Sequence, residues 1–131
     1  MEKKSLVLCD TNIIIEFYKA NPIIVKSLES IGQENIAISI ITAGELLYGA
    51  LNKRELQRIK QDVEHLELLH LNPLIGKCFE ELMITYTLSH RLSLPDGLIA
   101  ATAIIKDVPL YILNQKDFKY IKNLPLYQEV K

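Results

Sequence analysis

Three short segments of the chain are mostly apolar on both faces, and each adjoins a longer segment with helical spacing. They span residues 5–9, 36–41 and 110–113. Strands that are apolar on both faces are typical of a parallel sheet that is covered by helices on both sides. The alternation of strands and helices therefore predicts an α/β fold, a three-layer α/β/α arrangement with a mainly parallel four- or five-stranded sheet.

The remaining segments complete this prediction. A narrow apolar stripe over residues 54–66 predicts a helical arm that packs against one neighbour. A turn is predicted at 94–97, and 131 residues suit one domain over 1–131. Other helices are predicted over 11–19, 22–31, 42–48, 73–91 and 96–106, a helical turn over 119–121, and weaker strands over 68–71 and 126–129.

The composition limits the class of protein. No apolar run reaches the roughly 18 residues that span a membrane, and no signal peptide is recognisable, so the sequence predicts a cytoplasmic protein. The isolated cysteines, Cys9 and Cys78, fit this prediction. A net charge of −1 counts mildly against a nucleic-acid binder. If several acids surround a metal, however, the rest of the surface is more basic than the total indicates.

Four acids lie close to the carboxyl ends of predicted strands. Asp10 follows the first strand, Glu45 lies one helical turn beyond the second, and Asp117 follows the strand at 110–113. Asp96 opens the helix that leads into that last strand. Ligands of open α/β sheets bind beyond the carboxyl ends of the strands. The four side chains could therefore face one crevice.

Each acid also has a simple structural explanation. Asp10 and Asp96 could be helix N-caps, Thr42 and Glu45 could form a capping box, and Asp117 could be a turn residue. A cap contributes about 0.5–2 kcal/mol, whereas two carboxylates about 5 Å apart repel by roughly 3 kcal/mol at an effective dielectric near 20. A shared crevice therefore requires a cation, and oxygen ligands without clustered histidine or cysteine favour Mg²⁺ or Mn²⁺.

Motifs of other enzyme classes are missing. The chain has no glycine-rich dinucleotide or nucleotide-triphosphate loop and no G-x-S-x-G nucleophile elbow. Its histidines, His65, His70 and His90, are scattered, which favours surface positions over metal ligation.

Four motifs in a fixed order carry a resemblance to a known family. They are Leu8-Cys-Asp10-Thr-Asn12, Ile41-Thr-Ala-Gly-Glu45-Leu, Leu94-Pro-Asp96-Gly-Leu-Ile-Ala-Ala-Thr-Ala103 and Leu113-Asn-Gln-Lys-Asp117-Phe118. With them the chain resembles PIN-domain ribonucleases, most closely the VapC-type toxins of toxin–antitoxin pairs. The resemblance extends over essentially the whole chain.

The resemblance implies an endoribonuclease that depends on Mg²⁺ or Mn²⁺. It implies that Asp10, Glu45 and Asp96 are catalytic acids that hold the metal. Many relatives carry an acid where this chain has Asn114, so Asp117 is the candidate for the fourth catalytic acid. Thr11, Asn12 and Asn114 would support the acids by hydrogen bonding.

The resemblance also implies partners. An antitoxin segment would bind in a groove formed by the two early helices and the arm, and the toxin would form a homodimer. Lys116, Lys119 and Arg54, with the neighbouring basic group of 53–60, are candidates for contacts with RNA phosphates. No aromatic stacking platform is visible in the sequence. A non-catalytic RNA- or protein-binding PIN module is the alternative, and a metal-dependent phosphatase of small esters is a third hypothesis.

Overall fold

The computed structural model describes residues 5–128, in which four strands and six α-helices alternate. The strands are β1 (Val7–Cys9), β2 (Ile36–Ser39), β3 (Glu67–Leu69) and β4 (Leu110–Tyr111). The helices are α1 (Thr11–Tyr18), α2 (Pro22–Ile31), α3 (Ile40–Tyr48), α4 (Lys53–Glu64), α5 (Pro73–His90) and α6 (Leu94–Lys106). Two short 3₁₀ helices span Gln33–Asn35 and Gln115–Asp117.

The four strands form one sheet in the order β3-β2-β1-β4, and every pair of neighbours is parallel. In the central strand β1, Leu8 lies opposite Ala37 on one side and Leu110 on the other. A strand in this position is buried on both faces, which explains its uninterrupted apolar sequence. The predicted three-layer α/β fold is confirmed.

Two apolar clusters cover the faces of the sheet. Leu8 belongs to the cluster that α5 and α6 line, whereas Val7 and Cys9 belong to the cluster that α1 and α2 line. Successive side chains of a strand point to opposite faces, so β1 contributes to both clusters. The strand is thereby held rigidly, and so is the residue that follows it.

Several predicted boundaries are wrong because serine hydroxyls cap two helices earlier than expected. Ser39 accepts a hydrogen bond from the Thr42 N–H at 3.1 Å, so β2 ends at Ser39 and α3 begins at Ile40. Ser93 accepts from the Asp96 N–H at 3.2 Å, so the predicted turn at 94–97 is the first turn of α6. A Ser hydroxyl is among the preferred N-cap groups.

The carboxyl-terminal part also differs from the prediction. β4 has only two residues, and the helical turn is a 3₁₀ helix at Gln115–Asp117 rather than at 119–121. The predicted edge strand at 126–129 is reduced to a single parallel bridge between Leu126 and Leu110, and residue 129 lies outside the described residues.

Within residues 5–128, no helix combines the length and the apolar character needed to cross a bilayer.

Candidate functional site

Asp10 connects the central strand to the first helix. Its backbone N–H donates to the Tyr111 carbonyl at 3.0 Å, and its side chain accepts from the Thr11 N–H at 2.8 Å. Only 5% of the residue is exposed. The N-cap explanation of Asp10 is therefore correct. A cap alone does not require a buried carboxylate, because an uncharged side chain can accept the same bond.

The pKa of Asp10 reflects the charged residues that lie near it. Burial and the negative charge of Asp96 raise the pKa of Asp10 to about 6, against an ordinary value of 3.8. The bond from Thr11 acts in the opposite direction, and the charges of Glu45 and Asp117 raise the pKa further. Within residues 5–128, no lysine or arginine contributes to this shift. The fold therefore brings four carboxylates close enough to interact.

Asp96 occupies the first turn of α6, where Ser93 is the cap. The N-cap explanation of Asp96 is therefore wrong. Burial raises the pKa of Asp96, a hydrogen bond from Ser93 lowers it, and the charges of Asp117 and Glu45 raise it again. As with Asp10, no basic side chain in the described part of the chain contributes to this shift. The helix dipole favours an acid in the first turn of α6, but it does not explain why other carboxylates lie close to Asp96.

Glu45 accepts a hydrogen bond from the Thr11 hydroxyl at 2.8 Å. The Thr11 oxygen lies 2.9 Å from the Thr42 hydroxyl, and the Ser39 hydroxyl donates to Thr42 at 3.4 Å. Because Thr11 uses its single proton for Glu45, Thr42 must donate to Thr11. A directed chain of hydroxyls thus runs from the cap of α3 to the Glu45 carboxylate. The predicted capping box of Thr42 and Glu45 is wrong, since Ser39 is the cap.

Replacing Thr11 with valine is expected to destabilise the protein by about 1–3 kcal/mol. The buried Thr42 hydroxyl would keep its bond from Ser39 but lose the acceptor for its own proton, and a buried donor without an acceptor is costly. Urea unfolding of the metal-free protein measures the change. Thr11→Ser keeps the hydroxyl and is expected to retain most of the stability. Equal losses in the valine and serine variants would contradict the role of the hydroxyl chain.

The remaining predicted residues occupy different positions. Asp117 ends the 3₁₀ helix and is exposed, yet its charge raises the pKa of both Asp10 and Asp96. Asn114 caps that 3₁₀ helix by accepting from the Lys116 N–H at 3.1 Å. Of the other proposed supporting side chains, Thr11 bonds directly to an acid, whereas Asn12 is exposed on α1.

The three basic candidates for RNA contacts are all exposed. Lys116 and Lys119 flank Asp117 in the chain, whereas Arg54 lies in the first turn of α4. The structure therefore places two of them on the segment that carries the fourth acid and the third on a separate helix.

The donor set fits a hard cation. Carboxylate oxygens are the protein ligands that Mg²⁺ and Mn²⁺ prefer, and His65, His70 and His90 are exposed, as predicted. Within residues 5–128, no three acidic, histidine or cysteine side chains already converge on one point. Neighbouring carboxylates that repel one another without a cation are expected to stand apart, and a bound ion would draw them together.

Sequence reasoning missed an aromatic stack on the same side of the molecule. The His90 and Tyr120 rings lie face to face, with centroids 3.8 Å apart and an interplanar angle of 6°. Tyr86 meets both rings edge-on. The sequence shows no aromatic stacking platform, whereas the fold brings these three rings together. The sequence could indicate only that Tyr86 and His90 lie one turn apart on α5. It could not indicate the contact with Tyr120, which lies far away in the sequence.

A groove of about 430 Å³ lies between α1, α2 and α4, away from the acids. The Tyr18 hydroxyl donates to Asp62 at 2.7 Å, and the Arg58 guanidinium lies 5.3 Å from the Tyr18 ring. These contacts tie the α4 arm to α1 and shape the groove. Its lining residues are Ile14, Phe17, Tyr18, Leu28, Glu29, Gln33, Ile36, Asp62, His65 and Leu66.

Comparison with known proteins decides the family. The model of the PIN domain matches residues 7–124, which is most of the chain. This chain belongs to the PIN-domain family. The PIN-domain family inferred from the four motifs is thus confirmed.

Relatives of this PIN-domain chain share its length. It is 31% identical to Ribonuclease VapC1 of Methanocaldococcus jannaschii over 133 residues, which cover 95% of this chain and 88% of the relative. A toxin-antitoxin complex from Klebsiella pneumoniae contains a chain with 29% identity and a TM-score of 0.77, with 95% and 99% of the two chains covered. VapBC-1 from nontypeable Haemophilus influenzae gives 27% identity, coverage of 93% and 96%, and a TM-score of 0.79.

Proposed function

We propose that this PIN-domain chain is an endoribonuclease that depends on Mg²⁺ or Mn²⁺ and serves as the toxin of a toxin–antitoxin pair. The observation that carries the proposal is the mutual interaction of Asp10, Glu45, Asp96 and Asp117 beyond the end of the central strand. No basic side chain within residues 5–128 contributes to the pKa shifts of the buried Asp10 and the half-buried Asp96. The ribonuclease name of the relative from Methanocaldococcus jannaschii supports the same activity.

Asp10, Glu45 and Asp96 would hold the metal, and Asp117 would complete the site. When bound, a divalent ion lowers the pKa of water and neutralises charge on a phosphate. Thr11 donates to Oε1 of Glu45, which orients that carboxylate, and Glu45 or another carboxylate of the site would accept a proton from water. Lys116 and Lys119 would contact backbone phosphates near Asp117, and Arg54 would contact RNA beside α4.

An antitoxin is the proposed protein partner. The similar chains from Klebsiella pneumoniae and Haemophilus influenzae come from a toxin-antitoxin complex and from VapBC-1. The apolar groove between α1, α2 and α4 suits an amphipathic helix of such a partner. We also propose a homodimer, because Ile84 and Leu88 expose 76% and 91% of their surface one turn apart on α5.

Replacing Asp96 with asparagine is expected to reduce Mg²⁺-dependent RNA cleavage by roughly 100-fold or more, since a charged ligand is lost while the backbone is kept. Cleavage of a single-stranded RNA by the wild type, with Mg²⁺ and with EDTA, provides the reference. Asp107→Asn is the matched control. Asp107 caps the far end of α6 at φ 54, a conformation that asparagine adopts readily, and full activity is expected.

Cleavage that survives both EDTA and Asp96→Asn would overturn the proposal. RNA binding without cleavage, and without any rise in melting temperature on addition of Mg²⁺, would instead favour a non-catalytic PIN module.

A further inference from the structure

His90, Tyr120 and Tyr86 form a fixed aromatic cluster. The Tyr86 hydroxyl accepts from the Lys122 N–H at 3.1 Å, and the Ser89 hydroxyl lies 2.8 Å from Nδ1 of His90. These bonds and the edge-on contacts of Tyr86 hold the two parallel rings in place. His90 is exposed, so the stacked rings are open to solvent at the His90 end. A flat, rigid and exposed ring pair of this kind can be extended by another planar group.

The stack lies beside the carboxylates. The charges of Asp96 and Asp117 contribute to a raised pKa of Tyr120, after the effect of burial, which shows that the phenol lies within their electric field. The chain connectivity agrees, because Tyr120 follows Asp117 by three residues and His90 precedes Asp96 by six. A planar group on the stack would therefore lie next to whatever the acids bind.

Three exposed basic residues lie next to the stacked residues in the chain. Arg91 directly follows His90, and Lys119 and Lys122 flank Tyr120, and all three are exposed. Aromatic rings interleaved with basic side chains are the combination that binds single-stranded nucleic acid, since the rings stack with bases and the cations contact phosphates. A small phosphate ester would use the cations but would need no aromatic platform.

We propose that the His90–Tyr120 stack is a platform for one nucleobase of single-stranded RNA, adjacent to the phosphate that the carboxylates engage. The base lies on the exposed face of His90, which Tyr120 supports from below. This inference rests on the proposed function, because it assigns the substrate of the same site. A base can reach the platform only when it is free of its neighbours in a helix, so the preferred substrates are single strands and loops.

The test measures binding in the Asp96→Asn background, so that the RNA remains intact. Fluorescence anisotropy with Mg²⁺ gives the Kd of a mixed-sequence single-stranded RNA and of a series in which one abasic nucleotide is moved along it. The double variant His90→Ala/Tyr120→Leu is expected to weaken binding of the intact RNA by about 5- to 100-fold. The abasic penalty at one position should disappear in the same variant.

Two further variants separate stacking from folding. Tyr120→Phe keeps the ring and is expected to bind as tightly as the background, which excludes a role for the hydroxyl alone. Tyr48→Leu repeats the same kind of change at a tyrosine that is 92% exposed and outside the stack, and no loss is expected. Melting temperatures of all variants exclude unfolding as the cause.

Unchanged affinity of a folded double variant for the intact RNA, or an abasic penalty that persists in it, would overturn the platform. Cleavage by the protein with Asp96 intact is a separate measurement that tests the proposed function. Loss of base-dependent binding in the double variant together with no cleavage would retain the platform and reject the nuclease. Normal cleavage together with unchanged RNA binding by the double variant would retain the nuclease and reject the platform.

Discussion

Asp10→Asn is expected to stabilise the metal-free protein at neutral pH while it abolishes RNA cleavage. The pKa of Asp10 is raised from 3.8 to about 6 by burial and neighbouring acids. Each unit corresponds to about 1.4 kcal/mol, so the charged form lowers the free energy of unfolding by about 3 kcal/mol. Asparagine removes this charge, and its amide oxygen can still accept from the Thr11 N–H and cap α1.

The pH dependence of this gain follows from the sign of the shift. A carboxyl whose pKa is higher in the folded state binds its proton more tightly there, so stability falls as pH rises from about 4 to about 6. The advantage of Asp10→Asn should therefore be small below pH 4, grow across that interval and stay constant above it. Urea unfolding between pH 3.5 and 8 in EDTA measures the curve.

The control and the contrary outcome are clear. Asp107→Asn should change stability by less than about 0.5 kcal/mol, as is usual for surface positions. If Asp10→Asn were less stable than wild type at every pH, Asp10 would be a simple cap, and the carboxylates would not interact. Cleavage by Asp10→Asn within tenfold of wild type would argue against Asp10 as a metal ligand.

Leu8→Ala is expected to cost about 2–5 kcal/mol of stability, the usual range for removal of a large buried side chain. Leu8 has no exposed surface and lies in the central strand, between Ala37 and Leu110. Neither neighbouring strand can move inward to fill the cavity without breaking its own pairing with β1. Because domains of this kind are stable by about 5–15 kcal/mol, the loss is a large fraction of the total.

Chemical denaturation of the purified variant measures this loss. Ile23→Ala is the control, since Ile23 on α2 is 69% exposed and should contribute little. A loss below about 1 kcal/mol in Leu8→Ala would mean that β1 is less constrained than its position in the sheet indicates.

The order of the elements could be predicted because it depends on local patterns. Segments 5–9 and 36–41 are apolar on both faces, and helical spacing dominates the residues between them. The helix starts were harder, because several hydroxyl residues compete for each cap. Thr42 and Asp96 were plausible caps in the sequence, but Ser39 and Ser93 hold those positions. Only the packing of each helix on the sheet decides between such neighbours.

The candidate site, too, could be predicted only in part from the sequence. The topology rule predicted that Asp10, Glu45, Asp96 and Asp117 could face one crevice. Three of these acids follow strands, and Asp96 opens the helix that leads into the last strand. The sequence could not show that the Thr11 hydroxyl bonds to Glu45, or that Tyr120 stacks on His90. These contacts join segments that lie far apart in the chain, and no spacing rule describes them.

The pairing of β1 with β4 has a consequence for protein synthesis. Leu8 leaves the ribosome well before Leu110 and Asp117, because both follow it far along the chain. A nascent chain that stops short of β4 has an unpaired edge at its central strand and lacks one carboxylate of the site. On the proposed function, unfinished chains would not cleave the RNA of the ribosome that makes them. An antitoxin would then need to capture only completed molecules.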